Sequence, residues 1–217
     1  MQELKHYFNE MGIETFWYKA QLKQKSIEQA KTNLISLNNI VSVCENCDLH
    51  KTRTNTVFGE GNESAKILFI GEAPGRDEDK QGKPFVGRAG KLLTEIISSI
   101  NLTREDIYIA NTVKCRPPNN RNPEEKEVEA CSDYLEQQID LIKPKVIVLL
   151  GKIAANRVLK IDQPIGELRK KIFIIKPKNI PTIIFYHPAY ILRSPKEKKK
   201  VWEDLLFLKS VLKENDC

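Results

Sequence analysis

Short, unbroken apolar runs alternate with helical stripes along most of this chain. Lys66-Ile67-Leu68-Phe69-Ile70, the stretch from Ile107 to Lys114, Lys145 to Leu150 and Thr182 to Tyr186 read as strands. Runs of that length, apolar at consecutive positions, suit a sheet covered on both faces. Ile172 to Ile175 predicts one more strand, at the sheet edge. Between the strands, apolar residues recur at three- and four-residue spacing. Leu92, Leu93, Ile96, Ile97 and Ile100 mark one helix, and Val128, Leu135, Ile139 and Ile142 mark another beginning after Asn122-Pro123. Ala154, Ala155, Val158 and Leu159 mark a third, and a closing helix from Lys196 buries Val201, Leu205, Leu208 and Leu212. Ser26 is placed to cap an early helix with Ile27, Ala30, Leu34, Leu37 and Val41 on one side. This alternation predicts an α/β domain over residues 26–217. Residues 1–25 read as an appendage, with Leu4, Tyr7, Phe8 and Met11 on one helical face and an aromatic cluster at Phe16-Trp17-Tyr18.

Composition narrows the class. The chain has 217 residues, 41% of them hydrophobic, which is enough for one well-buried core. No apolar run approaches the ~20 residues a membrane span needs, and the N-terminus lacks the basic-then-apolar plan of a signal peptide. Both features point to a cytoplasmic protein. A net charge of +6 is compatible with a polyanionic partner. Five cysteines without an export signal are expected to be metal ligands or free thiols.

Candidate chemistry collects where strands end. Gly71-Glu72-Ala73-Pro74-Gly75 follows the first strand and runs through Glu78 and Asp79 to Pro84-Phe85-Val86-Gly87. Ligands of open α/β sheets bind beyond the carboxyl ends of the strands. Cys44 and Cys47 form a Cys-x-x-Cys pair, with Cys115 after a strand and Cys131 inside a helix. One pair plus two isolated cysteines suits a [4Fe–4S] cluster better than a zinc ribbon, with unligated core thiols as a third reading. Cys217 reads as a free thiol. The polar stretches 51–56 and 59–62 are either phosphate contacts or solvated loops.

The motifs GEAPGRDEDKQGKPFVGRAG (71–90), IANTVKCRPPNNRNP (109–123) and HPAYILR (187–193), with Cys44, Cys47, Cys115 and Cys131, resemble those of the family 4 uracil-DNA glycosylases. The resemblance spans residues 26 to 209 and implies a three-layer α/β/α sandwich around a four-stranded, mainly parallel sheet. It implies a [4Fe–4S] cluster on the four cysteines and hydrolysis of the N-glycosidic bond of deoxyuridine in single- or double-stranded DNA, initiating base excision repair. Phe85 matches the stacking aromatic, Asn111 the reader of the uracil edge, and His187 the group that meets uracil O2. Glu72 and Ala73 are expected to contact uracil. Relatives outside the family place an aspartate where this chain has Ala73, so Glu72, Glu78 and Asp79 become the candidates for orienting water, Glu72 and Glu78 foremost. Tyr190, Leu192 and Arg193 resemble a loop that enters the duplex, and Arg116 and Arg121 are expected to face DNA. Partners beyond DNA would be replication or repair proteins, with the chain itself a monomer. Two rivals remain at this point: a glycosylase of wider base range, and a catalytically silent, metal-stabilised DNA-binding module.

Overall fold

The computed structural model describes residues 33–215. The appendage expected over residues 1–25, the cap at Ser26 and Cys217 lie outside the described residues. Helix α1 (Leu34–Ser42) starts where Asn33 and Ser36 exchange side-chain and backbone hydrogen bonds in a capping box, so the helix expected from Ser26 is described only from Leu34.

Strand β1 (Glu60–Gly61), β2 (Ile67–Gly71), helix α2 (Arg76–Gln81) and α3 (Arg88–Ser98) come next. They are followed by β3 (Ile107–Asn111), α4 (Glu125–Ile142), β4 (Val146–Leu150), α5 (Lys152–Leu159) and α6 (Ile165–Leu168). Strands β5 (Phe173–Ile175) and β6 (Ile180–Phe185), then α7 (Pro188–Arg193) and α8 (Lys198–Glu214), complete the described chain. The sheet order is β1-β3-β2-β4-β6-β5. Its four inner strands pair in parallel, as expected. The sheet is nevertheless six-stranded and mixed, because β1 and β5 add antiparallel edges. At β1 a side chain has no room: a Cβ on Gly59 would sit 2.6 Å from the Tyr108 ring. A two-residue strand built on such glycines carries no apolar pattern, which is why it escaped the hydrophobic periodicity.

Every residue of β2, β3 and β4 is buried. One face packs against α3, α7 and α8 through Phe69, Ile109, Val148, Leu93, Ile191 and Leu205. The other packs against α1, α4 and α5 through Leu68, Ile70, Leu149, Leu37, Ile139 and Ala155. The sandwich thus has the three layers expected, and it brings the ends of β2, β3 and β6 to one rim.

Candidate active site and cysteine corner

Gly71 ends β2 in register with Asn111 at the end of β3. A Cβ on Gly71 would collide with Asn111 Oδ1 and sit 2.7 Å from Phe85 Cζ, so the ring and the amide converge where only glycine leaves space. The Phe85 and His187 ring centroids are 5.7 Å apart. Gly151, which ends β4 beside β6, backs the histidine: a Cβ there would lie 2.9 Å from His187 Cβ. Phe85, Asn111 and His187, expected from three separate motifs, therefore meet at one place.

Each of the three has an unusual state. Asn111 is 1% exposed, and its Oδ1 is buried without a hydrogen-bond partner among the described residues. Leaving such an acceptor unpaired costs about 1–3 kcal/mol, so a native fold tolerates it where a ligand supplies the donor. His187 caps α7, and its Nδ1 accepts from the Ala189 backbone N–H at 3.1 Å. That bond fixes the neutral tautomer with the proton on Nε2. Burial lowers the His187 pKa to about 4, with the Arg193 cation pushing the same way. Phe85 has φ 53°, a left-handed conformation rare for a bulky residue.

The carboxylates divide. Glu78 Oε1 accepts from the Val86 and Gly87 backbone N–H groups at 3.0 and 2.9 Å, holding the turn that carries Phe85. Buried Asp79 accepts from the Thr54 backbone N–H at 2.8 Å, and Asn55 donates to its carbonyl. The Glu72 carboxyl makes no hydrogen bond among the described residues, and burial raises its pKa against the opposing pull of Arg157. The Glu72 backbone is fixed: its carbonyl accepts from Thr112 Oγ1 at 2.6 Å. Ala73 packs against the cysteine corner.

The segment 187–193, expected as a loop, forms helix α7, because Pro188 occupies its first turn behind the His187 cap. Leu192 is 45% exposed on it and Arg193 is exposed. Tyr190 stacks on Tyr186 at 5.1 Å, which anchors the helix to the end of β6. Arg116 is half-buried and donates to the Asn120 side chain at 2.7 Å. Arg121, also expected to face DNA, is held instead by Glu127 in a bidentate pair at 2.6 and 2.8 Å.

Cys44, Cys47, Cys115 and Cys131 line one small cavity together with Arg53, Lys114 and Tyr134. Arg53 Nη1 donates to the Cys44 carbonyl at 2.7 Å and to Cys115 Sγ at 3.2 Å. Within 51–56, half-buried Arg53 is held at the cysteine corner, while exposed Thr54 and Asn55 bind Asp79. Burial raises the Cys47 and Cys115 pKa values and pushes Cys131 up to about 11. Lys114, fully buried, donates to the Asn111 carbonyl at 2.9 Å and to the Gln138 side chain. Sequence reasoning missed Arg53, Lys114, Gly151 and the structural use of Glu78. Local spacing does not mark them, because their partners are set by the fold, as where Arg53 reaches Cys115 and Lys114 reaches Gln138.

A groove of about 860 Å³ between α4, α5 and β5 takes in Thr112 and Arg157 but none of Phe85, Asn111 or His187. No helix among the described residues is long and apolar enough to cross a membrane.

Residues 58–206 match the model of the uracil DNA glycosylase superfamily. Type-4 uracil-DNA glycosylase from Archaeoglobus fulgidus is 50% identical over 167 residues, covering 74% of this chain and 84% of that one. The type-4 uracil-DNA glycosylase of Sulfurisphaera tokodaii is 47% identical, covering 82% of this chain and 81% of its own length. That of Thermotoga maritima is 46% identical, covering 80% and 91%.

Proposed function

The chain belongs to the uracil-DNA glycosylase superfamily, with the type-4 members as its relatives, and from that premise we propose how its residues excise uracil from DNA. It is a uracil-DNA glycosylase: it hydrolyses the N-glycosidic bond and leaves the strands uncut. A base inside a duplex is out of reach, so the nucleotide is flipped into the site, at a cost of a few kcal/mol.

The observation that carries this reading is the unpaired Asn111 Oδ1. Uracil N3–H supplies the missing donor, and the amide N–H₂ donates to uracil O4. Cytosine presents an acceptor at N3 and a donor at its exocyclic amine, so both contacts would be lost and the buried oxygen would stay unpaired. Hypoxanthine shares the N–H and C=O edge, so the base panel below separates the two. Phe85 offers its face to the base, a stack worth about 1–3 kcal/mol.

His187 then acts on the departing base. Its Nε2–H is directed to uracil O2, where negative charge accumulates as the C1′–N1 bond breaks and its electron pair leaves with the base. A neutral imidazole serves as donor throughout, because Nδ1 is already occupied by the Ala189 N–H. Glu72 is the carboxylate free to orient water toward C1′ and to stabilise the cationic sugar. The water oxygen bonds to C1′, and its proton is released. Glu78 acts as a positioning residue rather than the catalytic group anticipated from sequence, because its carboxylate holds backbone N–H groups. Leu192 on α7 fills the gap left in the duplex, with Arg193 and Arg116 toward phosphates and Tyr190 supporting the helix.

The four cysteines offer the donor set of an iron–sulfur cluster, although among the described residues no group of three or more Cys, His, Asp or Glu side chains is arranged to hold a metal ion. They come from the α1 corner, the segment after β3 and helix α4, and they face one cavity beside the Arg53 guanidinium. Burial disfavours the thiolates of Cys47, Cys115 and Cys131, and a bound metal would compensate that cost. Cys44, Cys47, Cys115 and Cys131 would hold a [4Fe–4S] cluster, which would tie these elements together. Ala73 packs on that corner, so such ties would also steady the loop after β2. The glycosylase unit is taken as residues 26–217, acting as a monomer in the cytoplasm or nucleoid.

The test is a panel of oligonucleotides carrying uracil, hypoxanthine, xanthine or a thymine mismatch, incubated with the protein and then treated with alkali. Strand scission and free base are expected for uracil above all others. Equal excision of the purines would replace the reading with a wider base range, and no excision at all would leave a DNA-binding module.

A further inference from the structure

Phe85 holds a left-handed backbone conformation that a bulky residue seldom adopts, so something around it must enforce it. Five successive residues of the loop are gripped. Lys83 Nζ lies 2.7 Å from Glu60 Oε1. The Pro84 and Phe85 carbonyls accept from Arg104 Nη1, at 3.4 Å, and Nη2 respectively. The Val86 and Gly87 N–H groups are held by Glu78. Arg104 is itself fixed by Thr94 Oγ1 at 3.0 Å and by Glu60 Oε2 at 3.6 Å. Gly90 lets α3 approach, because a Cβ there would overlap the Phe85 carbonyl.

We propose that Arg104, in the turn between α3 and β3, is a positioning residue for base recognition: it clamps the Pro84 and Phe85 carbonyls so that the Phe85 ring is presented flat to the flipped base. Glu78 grips the donors of the turn and Arg104 its acceptors. With the guanidinium gone, the two carbonyls lose a charge-assisted partner and the φ 53° conformation loses its brace. The ring then relaxes away from Gly71 and Asn111. Lysine reaches one carbonyl but cannot bridge two in the fixed plane of a guanidinium. The inference rests on Phe85 being the stacking face.

The test is a double-mutant cycle of Arg104→Met and Phe85→Ala, read by inhibition of uracil excision with free uracil, with Tm followed in parallel. Arg104→Met is expected to weaken uracil inhibition by about tenfold, the scale of one lost base–aromatic stack. Added to Phe85→Ala, the same change is expected to weaken it less than about twofold further, because coupled residues are not additive. Arg104→Lys, the milder replacement should methionine unfold the protein, is expected to fall between wild type and Arg104→Met. Full additivity, or unchanged inhibition in a folded Arg104→Met or Arg104→Lys, overturns the clamp while leaving Phe85 as the stacking face. Unchanged inhibition in Phe85→Ala overturns the stacking reading and the clamp with it.

Discussion

Two buried polar regions lie about one loop apart, and they treat hydrogen bonds in opposite ways. At the cysteine corner the capacity is used: Arg53 donates to Cys44, Cys115 and Ser42, and Lys114 reaches Asn111 and Gln138. At the rim of the sheet it is held open: among the described residues Asn111 Oδ1 has no partner, and His187 has only Nδ1 occupied. Phe85 adds a strained backbone to the same rim. Satisfied polar networks rigidify a fold, whereas an unpaired acceptor costs stability until a ligand arrives. The corner is built to hold and the rim to receive.

The sharpest way to break the contrast is Asn111→Ala. It removes both the reader and the stored penalty, so kcat/KM on uracil is expected to fall about 10³-fold, with Tm unchanged or higher. A large loss of Tm with little loss of rate would mean that Asn111 belongs to the fold and not to recognition.

His187→Ala comes next, with kcat expected to fall about 10²–10³-fold in single-turnover assays. The histidine also has a signature in stability. Its folded pKa of about 4 lies below the ordinary 6.5, so the neutral form favours folding. That contribution is complete above pH 6.5 and is lost as pH falls toward 4. His187→Gln is expected to flatten that part of the stability curve, measured by denaturant melts across pH. Glu72 shifts the other way: burial raises its pKa, so ionising it costs stability as pH rises through the folded value. Glu72→Gln is expected to gain slight stability and to lose the acid limb of the rate profile.

At the corner, Cys131→Ser is expected to abolish iron retention and lower Tm by about 10 °C, as judged by iron analysis and thermal melts. Full iron and unchanged Tm would remove Cys131 from the ligand set. The smallest effect belongs to the exposed helix α7. Leu192→Ala is expected to slow excision about tenfold from duplex DNA and less than twofold from single strands, since only a duplex has a gap to fill. Equal losses on both substrates would end the wedge assignment.

Much of the rim was legible in the chain because it sits at the ends of apolar strands. The resemblance named Asn111 and His187, and both stand where parallel strands end, although β3 stops at Asn111 rather than running on to Lys114 as its apolar pattern suggested. The four cysteines, grouped from sequence, line one cavity, but among the described residues they are not arranged as a metal-holding group. What stayed hidden depends on tertiary placement rather than on local spacing. The Glu78 carboxylate lies eight and nine residues before the N–H groups it grips, so no spacing rule separates a structural carboxylate from a catalytic one. Arg121 looked like a phosphate contact until Glu127, six residues on, took it. The helical turn at 188–193 was masked by Pro188, which reads as a breaker in sequence yet suits the first turn of a helix. The edge strand at Glu60–Gly61 has no side-chain pattern to read.

The most direct test is a crystal structure of the protein with free uracil. The expected result puts uracil N3 within about 2.7–3.2 Å of Asn111 Oδ1, the ring on Phe85 and O2 toward His187 Nε2. Uracil bound elsewhere, or bound at the rim with Asn111 Oδ1 still unpaired, would contradict it.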